Sequence, residues 1–426
     1  MMTFPPDNYV LTESAVSGIE VYMPRPPKEM QQEVVEFHCP QCDATTAYSA
    51  ENGGLTCTHC GHYEAPVQEV VGKAAVEFEF TVETIERAAH GWGIERKELS
   101  CNRCASHITL STDMLTHTCP FCGSNQVVQV KAAQDVLRPR FLVPFKMTED
   151  DCRRITANWL QNSWMLPKDL QQLARTAEFT PIYIPFWTFD AHASAYWRAE
   201  VAHTKQKTVW SGGRRTTKTV TEWRWESGNV EQFHDDLLVN GSNQISKVLL
   251  RQMRGYDLQE LVPYDASYLA GMQAQAYDIG LEEAWELGRD AMRQRTKAAC
   301  RTQATSQRMR NFSMSLDFSK ETWRYILLPL YLATYAYGNE RFQVMINGQS
   351  GKIAGQRPVD WRKVIGVTAV SMLPAILLGL LSLYLSNNVA TADVGVPVGF
   401  VAVLALIGAL VFIIRAVQTA LQMDDA

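Results

Sequence analysis

Eight of the ten cysteines fall into two copies of one spacing. Cys39-Pro-Gln-Cys42 is followed by Cys57-Thr-His-Cys60, and Cys101-Asn-Arg-Cys104 by Cys119-Pro-Phe-Cys122. Both copies read C-x2-C-x14-C-x2-C and start 62 residues apart, the mark of an internal duplication. A C-x2-C turn lets two thiolates face one tetrahedral cation, and two such turns supply all four ligands. The 14 residues between the turns suit a β-hairpin, so each copy is expected to be a small β zinc ribbon. Gly61 and Gly123 follow the second turn of each copy, where a knuckle favours a residue free to take positive φ. Four thiolates close the coordination sphere, so two structural Zn2+ sites are expected, with no open position for substrate. Iron on the same thiolates is the alternative metal. Paired disulfides and a thioredoxin-type redox pair are the non-metal alternatives, the latter without a strand–CxxC–helix setting. His38, His59, His62, His107 and His117 lie close by and read as loop histidines. Cys152 and Cys300 have no partner pattern and read as small apolar residues.

The elements that display these turns are set by the far end of the chain. Between Val364 and Ile414 the one charged residue is Asp393. The run divides into apolar stretches at 364–386 and 394–414, each close to the ~20 residues a helix needs to cross a bilayer core. Arg357, Arg362 and Lys363 precede the first stretch, Arg415 follows the second, and the connection has no basic residue. The positive-inside rule then places both termini in the cytoplasm. Met1 to Leu11 lack the basic and apolar regions of a secretory signal. A reducing cytoplasm in turn disfavours the disulfide alternative.

The 426-residue chain is long enough for several compact units and rich in aromatic residues, which excludes general disorder. Residues 1–138 carry nine basic and eighteen acidic side chains, a net of −9, and two four-thiolate zinc sites would deepen this to −13. Such a front end suits a protein partner better than a phosphate backbone. Residues 1–33 are Pro-rich and read as a tail. Val76, Phe78, Phe80 and Val82 alternate with polar residues and suggest a strand, followed by a helix-like stretch ending near His90.

From 139 to 360 the texture is that of an α+β domain with an antiparallel sheet. Phe141 to Phe145 reads as a strand, and Thr148 as the N-cap of a helix reaching Ala174. Tyr183 to Phe189 opens a β-rich stretch, and a helix is expected from Leu281 to about Met309. Its acidic start and basic end match the helix dipole. Trp323 to Tyr337 reads as a strand buried on both faces, with Ile326, Leu328, Leu330 and Leu332 on one side and Tyr325, Tyr331, Tyr335 and Tyr337 on the other. Pro329 implies a bulge or an edge there. Turns are expected at Gly338-Asn339-Glu340 and Asn347-Gly348.

Ser211-Gly212-Gly213 reads as the turn of a hairpin carrying Lys205, Lys207, Arg214, Arg215 and Lys218, with no acidic residue from Val201 through Thr221. Trp210, Trp223 and Trp225 are interleaved with these cations. Lys205, Lys207, Trp210, Arg214, Arg215 and Lys218 are therefore candidates for contact with an anionic lipid surface or a partner. Nucleic-acid stacking is the competing chemistry, and a plain solvated hairpin the simplest.

No catalytic motif stands out. The chain lacks G-x-x-x-x-G-K-[ST], H-E-x-x-H, G-x-S-x-G and G-x-G-x-x-G. An enzyme would have to gather His192, His203 or His234 with a carboxylate. A non-enzymatic role is expected.

Several short pieces carry a family resemblance: Val143-Pro144-Phe145-Lys146, Tyr183-Ile184-Pro185-Phe186-Trp187-Thr188-Phe189-Asp190, Leu328-Pro329-Leu330-Tyr331, Ile346-Asn347-Gly348-Gln349-Ser350-Gly351-Lys352-Ile353 and Arg357-Pro358. Over 36–415 the chain resembles the bacterial membrane-anchored double zinc-ribbon proteins often labelled "primosomal protein N′ (replication factor Y), superfamily II helicase". Without a nucleoside-triphosphate motor, the resemblance implies an adaptor at the bacterial inner membrane. It also implies partners such as flotillin/stomatin-type scaffold proteins or phage-shock-type membrane-stress proteins. Nucleic-acid binding linked to replication or transcription is the alternative. The expected organisation is a tail (1–33), ribbon 1 (34–66), an inter-ribbon segment (67–98), ribbon 2 (99–131), the α+β domain (139–360) and a transmembrane helical hairpin (364–386 and 394–414).

Overall fold

The computed structural model describes residues 9–12, 21–24, 37–66, 69–72, 75–80, 96–111, 118–122, 124–131, 136–161, 163–167, 170, 178–211, 214–253, 255–338, 340–387 and 392–424. The helix-like stretch ending near His90, along with His117, Gly123, the Gly212-Gly213 turn and Asn339, lies outside these residues. So does the tail, apart from a hairpin of β1 (Tyr9–Thr12) and β2 (Val21–Pro24).

The first cysteine set carries β3 (Thr46–Ser49), β4 (Gly54–Cys57) and β5 (Tyr63–Glu64), a three-stranded sheet of its own. After β6 (Phe78–Glu79), shorter than the strand expected there, the second set carries β7 (Arg96–Cys101), β8 (His107–Ser111) and β9 (Val127–Lys131). There follow β10 (Phe141–Leu142), α1 (Glu149–Gln161), β11 (Thr180–Ser211) and β12 (Arg214–Asn240). Next come α2 (Lys247–Gln252), β13 (Val262–Pro263), β14 (Gln273–Gln275), α3 (Leu281–Gln303) and β15 (Met309–Tyr337). The chain closes with β16 (Glu340–Asn347), β17 (Ile353–Gly355), α4 (Trp361–Ser386) and α5 (Ala392–Asp424).

The axis of the molecule is β11, flanked by β12 on one side and β15 on the other. β15 begins fourteen residues earlier than the burial pattern at Trp323 suggests, and α3 ends at Gln303 rather than near Met309. Phe312, Met314, Leu316 and Phe318 alternate with polar residues, so the early half of β15 has the period of a half-buried strand. The outer side of β15 is filled piecewise by β6, then β10, then β16. Most pairings are antiparallel, but β10 with β15 and β11 with β14 are parallel.

Pro329 sits in neither a bulge nor an edge. It pairs in register with Tyr183, and its carbonyl accepts from Gly348 N at 2.9 Å and from the Tyr256 hydroxyl at 3.0 Å. A residue's N and O point the same way along a strand, so the missing N–H falls in the seam between β10 and β16.

The two faces of the β11–β15 base bear separate cores. Tyr183, Trp187, Tyr325, Leu327 and Tyr331 join α3 residues Leu281, Trp285 and Met292. Ile182, Ile184, Ile326, Leu328 and Leu330 join α2 residue Leu249 and the second cysteine unit through Leu99, Ile108 and Phe121. Thr148 caps α1 as expected, its hydroxyl accepting from Asp151 N at 3.2 Å while Asp151 Oδ2 accepts from Thr148 N at 3.1 Å.

α4 and α5 are long and apolar enough to cross a membrane. They pack antiparallel through small residues: Ala402, Ala409 and Ala416 are buried seven apart, and Ser382 Oγ donates to Gly395 O at 2.8 Å. The ends nearest the body, Val364, Ala416 and Ala420, pack on Met165, and Lys363 Nζ donates to Leu166 O at 2.6 Å.

Candidate metal centres

The two C-x2-C turns of each copy meet. In the first, Sγ atoms lie 3.5 Å apart for Cys39 and Cys60 and 3.6 Å for Cys42 and Cys57. In the second the separations are 3.7 Å for Cys101 and Cys122 and 3.7 Å for Cys104 and Cys119. A tetrahedron of sulfurs ~2.3 Å from a cation has edges of about 3.8 Å. A disulfide would bring the sulfurs to ~2.05 Å, and all ten cysteines are free. Each set of four falls within 4.8 Å, so each of the two four-cysteine clusters can hold a metal ion.

The backbone builds both knuckles alike. Cys39 N donates to Ala44 O at 2.8 Å and Asp43 N to Cys39 O at 2.9 Å. Exactly 62 residues later, Cys101 N donates to Ser106 O at 3.0 Å and Ala105 N to Cys101 O at 2.8 Å. Cys57 N and Cys119 N likewise donate to His62 O and Ser124 O. Gly61 takes the expected positive φ of 73°. The equivalent turn after each leading pair is made by Asp43 (φ 59°) and Ala105 (φ 56°), which composition does not reveal.

Amide groups aim at the sulfurs. The N–H of Cys60 is the largest influence on Cys57 and, with that of His59, brings its thiol down to about 6. At Cys101 burial opposes ionisation, yet the N–H groups of Cys104 and Arg103 and the neighbouring thiols bring it to about 7. In the same clusters Cys42 and Cys122 are pushed up to about 12. Neighbouring thiols crowd these two, and a negative charge on one sulfur disfavours a second beside it.

The copies differ in setting. Cys42 and Cys60 are exposed, whereas Cys104 and Cys122 are half-buried. The first unit touches the body through Tyr48, whose ring lies 5.2 Å from Tyr268 and whose N–H donates to Ala270 O. The second is built into the main sheet, with Thr109 and Ile108 of β8 paired to β14. Ser106, buried at the position of Ala44 in the first copy, places its Oγ 3.1 Å from Cys119 Sγ and 3.3 Å from Cys104 Sγ.

No family model matches the chain, and no solved structure matches it. The chain is similar to the uncharacterized protein YdjG of Bacillus subtilis (strain 168), at 23% identity over 332 residues. That match spans 78% of this chain and 92% of the relative, so it takes in more than the cysteine units.

The other sequence candidates lie on the hairpin of β11 and β12. Its lysines and tryptophans, interleaved in sequence, separate in space. Directly paired residues share a face, and faces alternate along a strand. Lys205, Lys207 and Lys218 fall on one face. Trp210, Trp223 and Trp225 fall on the other, where Arg215 pairs with Trp210. Arg310 stacks 4.5 Å above Trp223 and Arg198 4.2 Å above Trp225. Arg214 pairs with Ser211 beside the turn.

The three histidines are not brought together. His192 is exposed against Phe233, at 4.7 Å. His203 lies 2.6 Å from Glu226 on the opposite face of β11. His234 is buried on Thr296 Oγ1 at 3.0 Å, and burial followed by Arg295 pushes its pKa down.

Sequence reasoning missed a buried charge cluster where the long strands bend. Arg324, almost fully buried, donates from Nε to Thr188 Oγ1 at 3.1 Å. Its Nη2 pairs with Asp236, with Glu77 at 3.2 Å and with Asp190 at 3.9 Å. Burial, then Glu77 and Asp236, pushes Asp190 up to about 7. Asp190, Asp235 and Asp236 also lie within 4.8 Å of one another, with Arg324 supplying the positive charge among them.

Proposed function

We propose that this protein is a non-enzymatic adaptor at a bacterial inner membrane, its two four-cysteine clusters being structural zinc ribbons that help present a partner-binding body. The observation that carries the reading is the pair of closed tetrahedra of thiols, 3.5–3.7 Å apart along the edges measured, on the same chain as two apolar helices. Zinc held by Cys39, Cys42, Cys57 and Cys60, and by Cys101, Cys104, Cys119 and Cys122, would cross-link each knuckle and leave no ligand position for substrate. Both body-proximal helix ends meet Met165, which supports N- and C-termini on one side of the bilayer, and the flanking basic residues make that side the cytoplasm. Protein partners of the flotillin/stomatin or phage-shock type are proposed from the family resemblance.

The test is purification of the full-length chain from membranes, with elemental analysis and mass spectrometry of what accompanies it. Two zincs per chain, membrane retention, and partners lost in Cys→Ser variants are the expected results. A chain that stays in the supernatant without detergent, or that holds far less zinc, overturns the reading. Nucleic-acid binding is favoured by one observation, the cationic hairpin. It requires steeply salt-dependent DNA binding that neutralising Arg214, Arg215 and Lys218 abolishes.

A further inference from the structure

The end of the β11–β12 hairpin supplies none of the residues of either metal centre and none of those that pack the apolar helices on the body. β15 leaves β11 at the pair Val201–Met309, yet β11 runs on to Ser211. Ten further residues at ~3.3 Å each make a two-stranded arm about 33 Å long. Ala202 N donates to Arg308 O at 2.9 Å as the β15 lane empties. By the period of two, the N–H and C=O groups of Thr204, Gln206, Thr208 and Trp210 face that same lane, and among the described residues no strand fills it. A row of open donors and acceptors is a template for another strand.

The side chains flanking the lane are selective. Lys207 lies directly across from Lys218, a like-charge pair that weakens a two-stranded ribbon. Lys205 reaches Glu222 at 3.2 Å, but Lys207 and Lys218 have no ion-pair partner among the described residues. Closer to the root, this face is covered by α3, with Cys300 packed on Ala195, Trp197, Ala199 and Val201. α3 stops at Gln303, and the lysines beyond it are exposed. A bilayer-docking hairpin would need its lysines and tryptophans on one side, and here they are on opposite sides. An open backbone edge is also costly in lipid. As stacking platforms for bases, Trp223 and Trp225 are already occupied by Arg310 and Arg198.

We propose that the vacant lane accepts a third strand from a partner polypeptide, an extended segment with acidic residues at alternate positions. Its main chain would bond to the edge from Thr204 to Trp210. Carboxylates two residues apart, about 6.8 Å along a strand, match the step from Lys205 to Lys207, with Lys218 one strand behind. This deepens the adaptor reading and rests on it for the existence of a protein partner.

The experiment is fluorescence anisotropy on the full-length protein in detergent, with a short dye-labelled peptide alternating Glu and Thr. Oligo-dT and phosphatidylglycerol vesicles are the comparison probes. Salt-dependent peptide binding is expected, weakened at least about tenfold in K207E/K218E, where the charge contacts are lost. Q206P/T208P, which keeps every charge but removes donors from the open edge, should lose a similar factor. Zinc content and membrane retention are measured on the same unmutated preparation, so failure of the metal reading and failure of this one are separable. Absent peptide binding, full binding by Q206P/T208P, or tighter arm-dependent binding of oligo-dT or vesicles would each overturn the proposal.

Discussion

Asp43 and Ala105, 62 residues apart, hold the same left-handed backbone conformation at the same point of their knuckles. Each spends conformational energy to let the first turn of its unit close. For a residue with a Cβ that energy is ~1–2 kcal/mol, and glycine escapes most of it. Ala105→Gly should therefore stabilise the second unit by up to about 1 kcal/mol, less the entropy glycine adds to the unfolded chain. Urea denaturation of metal-loaded protein measures this, and a lowered midpoint would contradict it.

Losing a metal ligand should have unequal consequences in the two copies. Cys101 and Cys119 belong to the same buried cluster as Ile182 and Leu328, whereas the first unit leans on the body mainly through Tyr48. Cys57→Ser is expected to open residues 37–66 to protease and leave the body's melting transition in place. Cys101→Ser should lower that transition itself. Bound metal should fall from two to one per chain in either case, read by elemental analysis.

The Arg324 cluster makes stability depend on pH in an unusual direction. Asp190 has a folded pKa of about 7, against 3.8 for the ordinary group. An acid raised in this way holds its proton longer in the folded state. Its contribution is complete below about pH 4 and drains away as pH rises toward 7. The slope cannot exceed one proton, about 1.4 kcal/mol per pH unit. Asp190→Asn, which can still accept from Asp236 N, should flatten the stability profile between pH 4 and 7. Arg324→Gln strands three carboxylates and should cost roughly 3–5 kcal/mol near pH 8, less at pH 5. Urea titrations across pH decide both.

Gly348 has no room for a side chain. A Cβ there would lie 2.6 Å from the Phe145 ring and 2.9 Å from Pro329 Cβ. Its carbonyl also accepts from Lys146 N and Met147 N, both at 2.9 Å. Gly348→Ala should destabilise by roughly 1–3 kcal/mol, measured by thermal melting. An unchanged midpoint would mean that the loop is free to move.

The Gly348 turn also shows why a motif legible as letters was opaque as structure. Asn347 Oδ1 accepts from Gln349 N and Ser350 N, both at 2.9 Å, a local bond that Asn-x-x sequences invite. Gln349 Nε2 then reaches Glu260 at 2.6 Å, a partner 89 positions away. No window of sequence contains that pairing. Pro329 is a similar case, since a proline inside a strand normally signals an edge and only the handover from β10 to β16 makes an interior place for it.

What the order of residues decided by itself is whatever depends on neighbours along the chain. The C-x2-C turns close locally, two uncharged runs are long enough to form apolar helices, and the two faces of 323–337 follow from alternation alone. What tertiary structure decided depends on register and on distant partners. The pairing of β11 with β12 sends the lysines and tryptophans of one short stretch to opposite sides. The union of β8 with β14 makes the second cysteine unit part of the main sheet and leaves its twin outside it. Arg324 finds Glu77, Asp190 and Asp236 because three separate strands and a connecting segment converge there. Alternation tells a side chain that it must choose a face, while hydrogen bonds to a strand far away in sequence settle what that face meets.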